Sequence, residues 1–348
     1  MKSDNAGGGL RGPRATLSSE LLEAIRDRYG LVRQNDLVDL GGSSNLNLLV
    51  HQENLRYVVR VYRPYLTQAR LRDIQFVRRK LTTSGVPCPD IWPTRDGQPW
   101  ITLDDRLVEV EYYVERDATM DSWERLETAL PTLGHVHTIL QDLEIGSDGK
   151  YPVFANHIEP QDVLNKTLHG TQRIRSWASS PAEQHLADAA QELAERVAAA
   201  ERELVSDLPR QIVHGDFWDN NVFLREGCVV LVTDFDFMGE RARIDDLALT
   251  LYFTSLTYAQ DPASDHQIRR LRRLVDAYDQ GLATPLSSAE RAALPLALAR
   301  QPLWSIGGWV ALLDDQQSAR QHAAGTVWQV GWALGIMDEL DRWQTAFA

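Results

Sequence analysis

The chain has little cysteine: Cys88 and Cys228 are the only two in 348 residues. Two thiols cannot build a disulfide framework or a zinc site by themselves, so both read as small buried apolar residues in a reducing compartment. Lysine is scarce as well, arginine supplying nearly all of the 36 basic residues, and the acids leave a formal net charge of −13. Such a balance gives no broad attraction to phosphate backbones or anionic lipid, which argues against nucleic-acid and membrane-surface binding. No stretch offers the roughly 18 uninterrupted apolar residues of a membrane span. Met1 to Ser18, with Gly7-Gly8-Gly9, Arg11, Pro13 and Arg14, lacks the apolar run of a secretory signal. The expectation is a cytoplasmic chain whose residues 1–18 form a flexible tail. Internal repeats and low-complexity tracts are missing too.

What is present is globular. Hydrophobic residues make up 43% and charged residues 24%, and the length exceeds what one core usually serves, so two lobes are expected. Leu21, Leu22, Ile25 and Tyr29 recur at helical spacing, and Gly30 stops that helix. Leu37–Leu40, Leu46–Val50 and Tyr57–Tyr62 read as short strands joined by turns, followed by a helix over Leu66–Thr83 and more extended chain to Val114. Residues 19–114 are thus a strand-rich lobe with an inserted helix, and residues 115–348 a mostly helical one. Ser180-Pro181-Ala182-Glu183 opens the best-signalled helix: serine caps, proline fits the first position, and glutamate reaches back. A β insertion interrupts the helical lobe at Ile212-Val213, Val222–Leu224 and Val229–Thr233.

That insertion carries the chemistry. His214-Gly215-Asp216-Phe217-Trp218-Asp219-Asn220-Asn221 precedes a hairpin, and Asp234-Phe235-Asp236 follows it. An aspartate, an asparagine five residues on and a second aspartate beyond a hairpin suit phosphoryl transfer. One carboxylate orients the acceptor hydroxyl, while the amide oxygen and the second carboxylate hold Mg2+, a hard cation that prefers oxygen ligands, against nucleotide phosphates. A polar loop before a solvent-facing hairpin is the bland alternative, and the ordered set of residues argues against it.

The segment resembles the aminoglycoside phosphotransferase and choline kinase superfamily, small-molecule kinases of protein-kinase-like fold, and also type II homoserine kinases. The resemblance spans about residues 20 to 255. It implies an α+β, two-lobed fold with a small antiparallel sheet and a larger helical lobe. It also implies Asp216 as catalytic aspartate, Asn221 and Asp234 as metal ligands, and Asp246 as a brace for the loop that His214 opens. Gly41-Gly42-Ser43-Ser44-Asn45 resembles the nucleotide loop, with Gly42, Ser43, Ser44 and Asn45 meeting phosphates. Arg60 stands where kinases place a phosphate-binding lysine, with Asp73 on the next helix as its expected partner. Tyr113 and Val114 belong to the connector that meets the purine of ATP or GTP. His137 resembles a helix-packing histidine. Trp218, Asp236, Trp304 and Asp314 are candidates for contact with a hydroxyl-bearing, amine-bearing small molecule.

The expected activity is transfer of the terminal phosphate to a small-molecule hydroxyl. An antibiotic acceptor is preferred on the resemblance and the arginine-rich, lysine-poor composition. Homoserine, choline or another amino alcohol is the nearest rival. A nucleotide-binding pseudokinase is a third reading, suggested by the missing strand lysine and opposed by the intact Asp216, Asn221 and Asp234.

Overall fold

Alternation of apolar residues along 46–61 and 101–112 makes one antiparallel sheet, which carries the first-lobe part of the site. A computed structural model describes residues 14–31, 37–42, 44–204 and 208–348. Helix α1 (Ser19–Ala24) runs on through a π-helical turn to Tyr29 and ends at Gly30, which adopts φ 75°. Strands β1 (Val38–Asp39), β2 (Leu46–Gln52) and β3 (Leu55–Val61) lead into α2 (Gln68–Thr83); β4 (Ile101–Leu103) and β5 (Arg106–Tyr112) complete an antiparallel sheet of order β1-β2-β3-β5-β4. Its apolar face, including Leu46, Leu48, Val59, Val108 and Val110, packs with Leu21, Ile25 and Tyr29 of the first helical segment. The expected tail reaches less far than Ser18. Arg14 already lies on this sheet, donating to both carboxylate oxygens of Asp39 and to the Asn45 carbonyl.

The second lobe begins with β6 (Ala118–Thr119) and α3 (Trp123–Leu140). It continues through α4 (Ser147–Lys150), α5 (Val163–Ser176) and α6 (Pro181–Leu204) to β7 (Arg210–Val213), β8 (Val222–Arg225), β9 (Cys228–Val232) and β10 (Gly239–Ala242). The chain then closes with α7 (Arg243–Tyr258), α8 (Asp265–Gln280), α9 (Ser288–Trp304), α10 (Gln316–Asp338) and α11 (Leu340–Phe347). The capping exchange at the start of α6 is formed: the Glu183 amide donates to the Ser180 hydroxyl, and the Ser180 amide donates to the Glu183 carboxylate. Between β8 and β9 the turn uses Glu226 and Gly227, both at positive φ, as a two-residue hairpin of this hand requires. Cys88 is buried as expected, but Cys228 opens β9 on the exposed side of that turn. No helix among the described residues is long and apolar enough to cross a membrane.

One close approach sets the helical lobe. A Cβ added at Gly134 in α3 would come within 2.4 Å of the Tyr278 carbonyl oxygen in α8, and one at Gly281 within 1.9 Å of the Pro131 carbonyl oxygen. The two helices therefore meet backbone to backbone, and only glycine leaves room. Overpacking of this kind costs roughly 1–3 kcal/mol or more, so Gly134→Ala should lower the unfolding free energy by about that amount. Urea unfolding followed by circular dichroism measures it, and an unchanged midpoint would mean that the helices separate at no cost.

Candidate active site

Antiparallel pairing of β7 with β10 places Val213 opposite Gly239, so the loop after β7 and the loop before β10 lie side by side. Gly215 at φ 83° allows this, since a Cβ there would sit 2.1 Å from the Phe237 carbonyl oxygen. Asp246, in the first turn of α7, holds the first loop: its carboxylate accepts from the His214 amide at 2.9 Å, the Gly215 amide at 3.0 Å and His137 Nε2 at 3.1 Å. Burial alone would raise its pKa, but the His137 contact outweighs it and holds Asp246 below the usual carboxylate range. His137 is also tied through Nδ1 to the Tyr278 hydroxyl at 2.7 Å. His214 has one tautomer available: Nε2 lies 3.0 Å from the Thr233 carbonyl and must donate, and Nδ1 accepts from the Asp216 amide at 3.2 Å. Burial lowers its pKa, in keeping with a neutral ring.

Asp216 is thereby aimed into the cleft. One carboxylate oxygen accepts from Asn156 Nδ2 and the other from Asn221 Nδ2, both at 2.9 Å. Burial, and then the charge of Asp234, push its pKa up to about 7. The Asn221 amide nitrogen is committed to Asp216, so its oxygen is the face left for a cation. Asp234 adopts a left-handed conformation, φ 65° and ψ 62°, which aspartate tolerates better than most residues and which turns its carboxylate back toward the loop. Its Oδ1 accepts from Arg60 Nη1 at 3.2 Å. Asn221 and Asp234 thus present hard oxygen donors beside a pair of carboxylates that need a positive charge between them, a set that fits a divalent cation of the magnesium type. Among the described residues no group of three or more His, Cys, Asp and Glu side chains forms a self-sufficient metal site.

The first lobe contributes Arg60 and the glycine turn. Gly41 and Gly42 both have positive φ, 87° and 109°, and Ser43 lies outside the described residues. Ser44 accepts through its carbonyl from Arg63 Nε. Asn45 crosses the cleft instead of lining the turn, since its Nδ2 donates to Asp236 Oδ2 at 2.7 Å. Asp236 is buried, its other oxygen lies 4.0 Å from Arg60 Nη1, and burial together with Asp234 raises its pKa. In the connector, the Tyr113 amide donates to the Arg56 carbonyl, Arg56 lies over the Tyr113 ring, and Val114 follows it half-buried.

Asp73 is not the partner of Arg60. Buried positions Arg70, Leu71, Ile74, Gln75, Arg78 and Leu81 define the inner face of α2, and Asp73 falls off that face. Its Oδ2 accepts from the Gly149 amide at 3.1 Å, and a Cβ on Gly149 would collide with it at 2.7 Å. The charges are arranged the other way round. The acids Glu109 and Glu111 come from β5, with Glu109 directly across the ladder from Arg60, and α2 supplies the cation Arg78, whose Nη1 lies 2.7 Å from Glu109. Tyr62 and Gln75 also donate to Glu109. Burial alone would weaken the Arg60 charge, but Asp234 and Glu111 keep it firmly protonated.

The four acceptor candidates separate. A cavity of about 560 Å³ lies between the 152–158 segment, α5 and the π-helical turn Ser305–Val310 that continues α9. Trp304 lines it and Asp314 does not; the Asp314 side chain is exposed and only its carbonyl is bonded, to Arg173 at 3.5 Å. Asp236 faces Asn45, and Trp218 packs on Phe253 at 5.3 Å. Sequence reasoning missed Asn156, which lies in an irregular segment with no motif; its neighbours Ala155 and His157 line the cavity while its amide reaches Asp216.

The model of the phosphotransferase enzyme family matches residues 38–287. Homoserine kinase of Zymomonas mobilis subsp. mobilis is 24% identical over 258 residues, 74% of either chain. Among solved structures, an amicoumacin kinase in complex with AMP-PNP, Ca2+ and Ami superposes with a TM-score of 0.69 at 13% identity, covering 93% of this chain and 94% of that one. A microcompartment-associated aminopropanol kinase gives 0.65 at 19% identity, covering 94% and 97%. These likenesses carry the protein-kinase-like fold of a small antiparallel sheet lobe and a helical lobe.

The reversed charge pair is open to test. Removing one member of a buried ion pair costs about 3–5 kcal/mol, because the other is left uncompensated, whereas a partly exposed carboxylate on one amide is worth about 1 kcal/mol. Arg78→Met should therefore destabilise strongly and Asp73→Ala only slightly, as read by urea midpoints. Equal losses would restore Asp73 as the residue that anchors the helix.

Proposed function

The chain belongs to the phosphotransferase enzyme family and is a small-molecule O-phosphotransferase, and from that premise we propose that it transfers the terminal phosphate of ATP, with Mg2+, to a hydroxyl of an antibiotic-sized compound. The observation that carries the reading is the pair of amides that hold Asp216 beside Asn221 and Asp234. Asp216 accepts or orients the proton of the acceptor hydroxyl, so that its oxygen points at the phosphorus. Burial raises the basicity of Asp216, which strengthens its hold on the hydroxyl. Asn221 and Asp234 would hold Mg2+, which when bound offsets charge on the phosphate oxygens. Arg60 presents its guanidinium to the same phosphates, kept in place by Thr233 and Asp234. Tyr113 and Val114 meet the purine, and the Gly41-Gly42 turn faces the phosphates.

The size of the cavity beside Asn156 favours an acceptor larger than homoserine or a simple amino alcohol, since about 560 Å³ falls in the range of drug-sized ligands. Homoserine as acceptor has its own support in the relative from Zymomonas mobilis subsp. mobilis.

Asp216→Asn should lower turnover by about 10²- to 10⁴-fold and leave ATP binding nearly intact. Asp234→Ala should remove the Mg2+ dependence along with transfer. Mass spectrometry of products after incubation with ATP and a panel of antibiotics, homoserine and amino alcohols reads both. Near-normal turnover in either variant would sink the assignment, and nucleotide binding without any turnover in the parent chain would favour the pseudokinase reading.

A further inference from the structure

The cavity lined by Ala155 and His157, on either side of the Asn156 that bonds Asp216, differs in charge from what an amine-bearing acceptor needs. Phe154, Ile158, Trp304, Trp309, Leu312 and Leu313 form most of its wall, and its titratable lining is His157, Lys166 and His169, with no carboxylate. The carboxylates behind the wall each already carry a cationic partner, and the one oxygen left over, Asp245 Oδ2, is buried behind His157. Asp162 lies 3.2 Å from the Lys166 ammonium, Glu159 is paired with Arg210 at 3.0 Å, and Asp245 is paired with Arg300. His157, 3.4 Å from Glu159 and 3.8 Å from Asp245, is buried, and burial lowers its pKa. Val153 and Leu312, 67% and 52% exposed, put apolar surface at the mouth.

An ammonium group drawn into this space gives up its hydration and meets no carboxylate in the wall, which is costly. Trp309 is stacked on His322 at 5.2 Å, which occupies one of its faces, and the Lys166 ammonium in the same wall repels a second cation. A flat apolar ring loses little on entry and covers the exposed rim. Resting on the phosphotransferase reading above, we propose that the acceptor is an aromatic alcohol with no cationic group on the part that enters this cavity.

The test uses binding, so that it stands apart from the chemistry. Three naphthyl alcohols of one skeleton, uncharged, carboxylated and ammonium-bearing, are titrated into the full chain with Mg2+ and a non-hydrolysable ATP analogue. The uncharged probe should bind at least about tenfold more tightly than the ammonium-bearing one, the discrimination expected when a buried charge lacks a partner, with the carboxylated probe between them. Gly308 lines the cavity, and a Cβ there meets nothing within 4 Å, so Gly308→Leu fills the space without a clash. It should weaken the uncharged probe by about tenfold or more while the affinity for the nucleotide analogue, which reports folding, stays put. Leu312→Asp, at an exposed rim position, should shift preference toward the ammonium probe. Tighter or equal binding of that probe by the parent chain, binding indifferent to Gly308→Leu, or no binding of any probe overturns the inference. A chain that phosphorylates cationic acceptors through Asp216 would defeat it and leave the phosphotransferase reading standing.

Discussion

The site depends on one buried carboxylate. Asp246 accepts from two successive backbone amides, His214 and Gly215, and from His137, so it fixes the course of the chain and not merely one side chain. With those amides pinned, Gly215 can press against the Phe237 carbonyl, His214 can span to Thr233, and Asp216 emerges in a single orientation. The metal-side loop is located by the same bonds, since Thr233 and Phe237 are its two ends. A carboxylate with three donors has no reason to leave the interior despite its desolvation.

That Asp216, Asn221 and Asp234 come together was legible because they are local. Asp216, Asn221 and Asp234 fall within nineteen residues of one another around a hairpin, and chain geometry over that distance leaves few arrangements. The capping residues of α6 and the hairpin glycine were readable for the same reason. The pairing of Arg60 was not, because it depends on which face of α2 meets the sheet and on whether the acids sit on helix or strand. Helical periodicity marked Leu71, Ile74, Val77 and Leu81 as buried, yet Gln75 and Arg78 share that face, and a polar residue facing an acid two elements away leaves no periodic signal. Asn156 was invisible on similar grounds: an asparagine in an irregular segment is the commonest of surface residues. Asp314 was misread because adjacent acids after a tryptophan-rich helix suggest a cation site, whereas Asp315 caps α10 through the Ser318 amide and Asp314 faces outward.

In the proposed reading, acceptor recognition and nucleotide chemistry fall to different elements. The nucleotide side is built from the sheet, the glycine turn and the two loops, all heavily charged. The cavity side is built from α5, the π-helical turn and an irregular segment, mostly apolar. Asn156 joins them, with its amide on Asp216 and its neighbours in the cavity wall. An extra residue in the turn after α9 widens the helix at the place where Gly307 and Gly308 line the cavity, a common way of adapting a helix to a ligand.

The placement of Glu109 and Glu111 on β5 bears on regulation. Where a strand cation relies on a carboxylate carried by a neighbouring helix, swinging that helix out disarms the enzyme, and phosphorylation or a partner protein can throw the lever. Here Glu109 and Glu111 ride on the same sheet as Arg60, its direct ion-pair partners Asp234 and Asp236 lie on the loop after β9, and α2 is fastened at both ends, by Arg78 to that sheet and by Arg70 to the carbonyls of Asp148, Gly149, Asp236 and Met238. No rotation of α2 can separate Arg60 from its counter-charges. What could part Arg60 from its counter-charges is a movement of one lobe against the other, since Asp234 and Asp236 reach it from across the cleft.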